Sequence, residues 1–181
     1  MKLRATATPI DQIKTECVVL GFFEDERPLK GQTGLTDWRM CGLLSRHLMD
    51  GFISGAFGET LFFPVGRHMA CSKALLLGLG KKPSYTFETF SVTVRKTLDT
   101  LFKLGIGDIA MPLPGVDGSD IDPNLAAHRF CEALAIRYRD NAGLYANLQV
   151  TIVSQSENLK QINPVLANFE RKISDELGIV H

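Results

Sequence analysis

The chain has 181 residues, 45% of them hydrophobic, with 20 basic against 20 acidic side chains. That length suits one domain, and the apolar content supplies a core large enough to exclude disorder as the dominant state. The balanced charge excludes a global field that would draw the protein onto nucleic acid or an anionic membrane, so neither is expected as a partner.

Leu3, Ala5 and Ala7 alternate with Lys2, Arg4, Thr6 and Thr8, which predicts a strand with one wet face near a sheet edge. Cys17 to Phe23 has no polar alternation, as expected of a central strand covered on both faces. Glu24 to Gly34 is charged and contains Pro28, Gly31 and Gly34, and reads as a loop. From Leu35 to Met49, helical spacing puts Trp38, Cys41, Gly42, Ser45, Leu48 and Met49 on one buried face. Glu59 to Val65 and Lys73 to Leu79 are strand candidates joined by a hairpin turn around Gly66 to His68.

Thr86 to Leu104 is the clearest helix, with Phe87, Phe90, Val94, Leu98 and Leu101 inward and Gly105 as its stop. A short strand, Ile109 to Leu113, precedes a loop containing Pro114, Gly115 and Gly118. Asp122 then caps a helix with Pro123 at its first position, and Ala127, Phe130, Cys131, Leu134 and Tyr138 form its buried stripe. Leu148 to Val153 is the last strand. The final helix starts near Ser156, is restarted by Pro164, and is ended by Gly178. This order predicts an α/β fold with three α/β/α layers and a mixed, largely parallel sheet, in one domain over 1–181. The apolar runs fall short of the ~18 residues a bilayer span needs, and no signal peptide is visible, so a cytoplasmic protein is expected.

Cys17, Cys41, Cys71 and Cys131 lie in apolar runs without a close pair and read as buried free thiols, not as a zinc site. There is no nucleophile elbow, zincin helix or Walker loop. His47, His128 and His181 read as solvated, and His68 with Cys71 offers too few donors for a metal. Asp117, Asp120 and Asp122 lack calcium-loop spacing and read as capping and turn residues. The remaining features are two glycine loops at strand ends, Gly31 to Gly34 and Pro114 to Gly118, where amides could hold an anion that Asp117 would weaken.

Four stretches carry a family resemblance: Val18 to Asp25; Leu43-Leu44-Ser45-Arg46 with Gly51 and Phe52; Gly55 with Gly58-Glu59-Thr60-Leu61; and Leu75 to Lys82. In order and spacing they resemble the N-terminal domain of the cytosolic leucyl aminopeptidases, over roughly Asp11 to Leu134. The resemblance implies a macro-domain-like fold. Full-length members add a larger domain with a two-zinc site and an Asn-Thr-Asp-Ala-Glu-Gly-Arg-Leu signature, which this sequence lacks. No catalytic residue, metal ligand or cofactor is therefore implied here. A further similarity to macro domains that bind ADP-ribose sets Asp11 where they place an adenine-contacting Asp, and Gly115 and Gly118 at their phosphate loop.

Three functional expectations follow. The first is a stand-alone, non-catalytic module for binding, assembly or regulation, partnered by its own copies or by an aminopeptidase. The second is a macro-domain-like binder or hydrolase of ADP-ribose or a related nucleotide, held by Asp11, Gly31, Gly34, Gly115 and Gly118. There, Gly115→Val is expected to abolish binding without unfolding the domain. The third is a fragment of a full-length dizinc leucyl aminopeptidase.

Overall fold

Strands whose apolar residues run without interruption become the inner strands of the sheet, because only burial on both faces suits them. The computed structural model describes residues 1–67, 69–138 and 141–177; the expectations for His68, Gly178 and His181 lie outside the described residues. The elements are β1 (Lys2–Thr6), β2 (Thr15–Phe22), α1 (Gly31–Arg39), α2 (Leu43–Met49), β3 (Thr60–Pro64), β4 (Cys71–Gly78), α3 (Phe87–Lys103), β5 (Asp108–Met111), α4 (Pro123–Tyr138), α5 (Ala142–Asn147), β6 (Gln149–Val153) and α6 (Ser156–Leu177). The sheet order is β1-β6-β5-β2-β4-β3. Neighbouring strands are parallel except β3, which runs antiparallel to β4 as the first strand of a hairpin pair.

The alternation along β2 divides the interior into two layers. Cys17 and Val19 face a core shared with Leu75, Leu77 and Ile109 and covered by α3, α4 and α6. Val18 and Leu20 face the opposite core, with Leu76, Ala110, Met40 and Leu44 beneath α1 and α2. The helix starts are built locally. Thr86 and Thr89 form a reciprocal capping box at α3, and Asp122 accepts from the Leu125 amide at 2.8 Å ahead of Pro123.

Several expectations are corrected. The helix expected over Leu35 to Met49 is two helices, because Cys41 (φ 55°) and Gly42 (φ 75°) adopt left-handed backbone and turn α2 away from the α1 axis. The buried residues there are Thr33, Thr36, Asp37, Met40 and Leu44, while Trp38 (69%) and Met49 (78%) are exposed. Small threonines permit α1 a close approach to the sheet: Thr33 Oγ1 donates to the Gly21 carbonyl at 2.7 Å. Cys41 is exposed, whereas the other cysteines are buried as expected. The expected loop ends early, since α1 begins at Gly31. Pro164 lies inside an unbroken α6, held there because Ile162, Val165 and Leu166 bury into the core. The short α5, not anticipated, offers only six residues of period, too few for a helical pattern to show.

Candidate functional site

Chain connectivity marks one place in the sheet. From β2 the chain passes to β4 on one side, then returns to β5 on the other, so the connections diverge at the carboxyl ends of β2 and β5. In open α/β sheets this switch point leaves a crevice that no crossover fills. Here it is a cleft of about 370 Å³ whose wall includes Phe22, Phe23, Gly31, Thr33, Gly115 and Gly118. It adjoins a broader depression of about 1110 Å³ rimmed by Asp25, Glu26, Asp117, Asp120 and Asp122 against Arg27, Lys30 and Lys82.

Of the five residues singled out as ligand-binding, Gly31, Gly115 and Gly118 come together in the cleft, and Gly34 and Asp11 do not line it. Gly31 (φ 56°) opens α1 instead of preceding it. Its neighbour Lys30 supplies no side-chain cap, so the first-turn amides lack helical partners. Gly34 is packed inward: a Cβ there would stand 2.4 Å from the Leu29 carbonyl oxygen. Asp11 sits in a single helical turn, Ile10–Gln12. Its side chain is only 2% exposed and its Oδ2 accepts from Arg39 Nε at 2.6 Å, which ties that turn to α1.

Gly115 (φ 74°) precedes a helical turn, Val116–Gly118, and does not lead directly into α4. A Cβ on it would lie 2.6 Å from Tyr85 Cε1. Tyr85 cannot give way easily: its hydroxyl donates to the Pro114 carbonyl at 2.8 Å and its ring meets Phe23 edge-on at 5.2 Å. Burial also pushes the Tyr85 phenol up, so it stays a neutral donor. The expectation that Gly115→Val would spare the fold is therefore corrected: left-handed backbone and a buried ring both oppose a side chain at this position.

The electrostatics of the cleft are mixed. Lys82 and Lys30 both reach the Glu26 carboxylate, at 3.4 and 3.6 Å. Lys82 also stands over the Phe23 ring at 5.9 Å. Asp117 is anchored, its Oδ1 accepting from Ser154 Oγ at 2.8 Å and Asn158 Nδ2 at 3.0 Å. An entering anion would meet two cations already engaged and one fixed carboxylate. Among the described residues no group of three or more His, Cys, Asp and Glu is placed to hold a metal ion.

Sequence reasoning missed Thr33, Lys82 and Tyr85. A usable signal existed for Lys82, which follows Gly78-Leu79-Gly80 just beyond a strand's carboxyl end. None existed for Tyr85, whose role depends on a turn distant in sequence.

A sequence profile of the cytosol aminopeptidase family, N-terminal domain, matches residues 19–142. A probable cytosol aminopeptidase of Burkholderia multivorans is 36% identical over 81 residues, covering 45% of this chain and 16% of that protein. A mutant of tomato leucine aminopeptidase superposes with TM-score 0.65 at 14% identity, over 94% of this chain and 36% of the other. The Trypanosoma brucei macrodomain in complex with ADP-ribose gives 0.70 at 13%, over 90% and 68%. The fold is macrodomain-like. The chain thus spans about a sixth of that curated relative.

Proposed function

Since this chain belongs to the family of cytosol aminopeptidase N-terminal domains, we propose that it acts as a single non-catalytic module, working in the cytoplasm by binding its own copies or an aminopeptidase. The observation that carries this reading is that the fold leaves three large apolar side chains uncovered in one stretch of the chain. Trp38, Met49 and Phe52 (64% exposed) all project from the α1–α2 unit and the turn after it. Exposed large apolar side chains within one structural unit support a contact site there, and tryptophan is a frequent anchor of such sites.

Trp38 is the sole tryptophan, so incorporating 5-fluorotryptophan gives one fluorine resonance. Adding an unlabelled leucyl aminopeptidase should shift and broaden it, and Met49→Asp should weaken the effect. An unchanged resonance at saturating partner would refute contact through this face.

A second reading is favoured by the convergence of Gly31, Gly115 and Gly118 at the switch point: a nucleotide-type ligand in the cleft, with Gly34 and Asp11 supporting its walls. The macrodomain solved with ADP-ribose supports it by fold. Calorimetry with ADP-ribose tests it. Asp117→Asn should tighten binding by ~0.3 to 1 kcal/mol, and absence of heat for both proteins would leave protein contact as the module's mode of action.

A further inference from the structure

The two edges of the sheet are finished differently. At β1, the outward amide of Leu3 donates to the Glu170 carboxylate, so α6 closes that edge. At β3, residues alternate between exposed and half-buried, and the sheet order simply ends there. The ladder register Thr60↔Leu77 through Pro64↔Lys73, flanked by Gly78 N to Glu59 O and Val65 N to Ser72 O, shows which groups β4 uses. Odd-numbered residues turn their backbone groups to β4, so those of Thr60, Phe62 and Pro64 point outward. Pro64, which has no amide, stands at an outward position where β4 loses no bond. Phe62 lies opposite Leu75 but is 40% exposed, while Leu61 and Phe63 pack beneath the other face.

We propose that this edge is a self-association site: two copies pair β3 antiparallel about a two-fold axis at Phe62, continuing the sheet through both molecules. The edge is self-complementary in that arrangement. Each Phe62 exchanges both backbone bonds with Phe62 of the second copy, and each Thr60 amide meets the other copy's Pro64 carbonyl. Every outward amide therefore finds an acceptor, although Pro64 has none to give. Charge agrees with the same orientation. Glu59, whose carboxylate accepts from the Ser54 and Gly55 amides, precedes the strand and Arg67 follows it. Antiparallel pairing thus brings the acidic end of each copy towards the basic end of the other, where parallel pairing would align like-charged ends.

The contact closes on itself, and Glu170 occupies the outward Leu3 amide at the other edge, so strand pairing through β3 stops at a dimer. A strand of five residues buries well under the ~1,200 Å² of stable interfaces, which makes the dimer weak and dependent on concentration. This inference rests on the strand geometry and not on the Trp38 face.

Sedimentation of the whole chain from low micromolar to submillimolar concentration should show the average mass rising from the 20.0 kDa monomer towards twice that value. Phe62→Lys, which sets like charges opposite each other, should weaken the dimer roughly tenfold or more. Trp38→Ala should leave it unchanged. Covalent capture gives a second readout. The two Phe62 Cα atoms would be about 5.5 Å apart, inside disulfide range, so Phe62→Cys in a Cys41→Ser background should cross-link on mild oxidation. Thr60→Cys, four residues out of register with its own copy, should not. A monomer throughout, a dimer indifferent to Phe62→Lys, or equal cross-linking at both positions would overturn the proposal.

Discussion

Two glycines of the cleft should answer in opposite ways to the same added methyl group. At Gly115 the left-handed backbone costs an L side chain roughly 1–2 kcal/mol. The new Cβ would stand 2.6 Å from Tyr85 Cε1, and displacing that ring endangers the Tyr85 hydrogen bond to Pro114, about 1 kcal/mol more. Gly115→Ala should therefore lose about 2–3 kcal/mol, with a fall in Tm on the order of 5–10 °C for a chain of this length. At Gly118 a Cβ would meet nothing nearer than Lys82 Nζ and Phe23 at 3.8 Å, so Gly118→Ala should stay within about 0.5 kcal/mol of the natural protein. Thermal denaturation followed by circular dichroism measures both. Equal melting of Gly115→Ala and the natural protein would refute the claim that Tyr85 and the Pro114–Gly115 turn form one packed unit. It would also free Gly115→Val as a clean probe of ligand binding; otherwise Gly118→Val is the better probe.

Asp37 is buried and its carboxylate accepts from the amides of Leu44 and Ser45 at 2.8 and 3.1 Å, capping α2. Asp37→Ala should cost roughly 1–3 kcal/mol in chemical denaturation, with Asp37→Asn recovering part of it. Burial pushes the thiols of Cys17 and Cys131 up to about 12 and raises that of Cys71. Titration with Ellman's reagent under native conditions should accordingly detect one reactive thiol, lost in Cys41→Ser, with the other three appearing on denaturation. The Lys73 ammonium, bonded at 2.6 Å, holds the Glu16 carboxyl below its ordinary 4.5. A lowered folded-state value means this stabilisation is complete above the unfolded value and is lost as pH falls through the folded one. The stability gap between natural protein and Glu16→Gln should thus narrow as pH is lowered below 4.5.

Strand identity was legible in the sequence because burial on both faces leaves an unbroken apolar run, as at Cys17 to Phe23, and α3 and α4 were legible through long stripes and caps. The α1–α2 unit was not. Its buried residues include two threonines and an aspartate that works as a cap beside Met40 and Leu44, and its exposed residues include tryptophan and methionine, so polarity misreads its faces. The break at Cys41 and Gly42 carries little signal, since only one of its two left-handed residues is glycine. At the site, the glycines of the cleft could be named, because a strand end followed by glycine has a direct backbone meaning. Asp11 could not be placed: a carboxylate before a central strand suits a ligand contact and an ion pair with Arg39 equally until the position of α1 is known.

The most direct measurement is turnover of a leucyl chromogenic substrate by the purified chain with added zinc or manganese. Two-metal hydrolysis needs carboxylates clustered around the ions, and the described residues place no such cluster. No turnover above the metal-only blank is the predicted result. Hydrolysis that rises with protein concentration and disappears on chelation would contradict the proposal of a non-catalytic module.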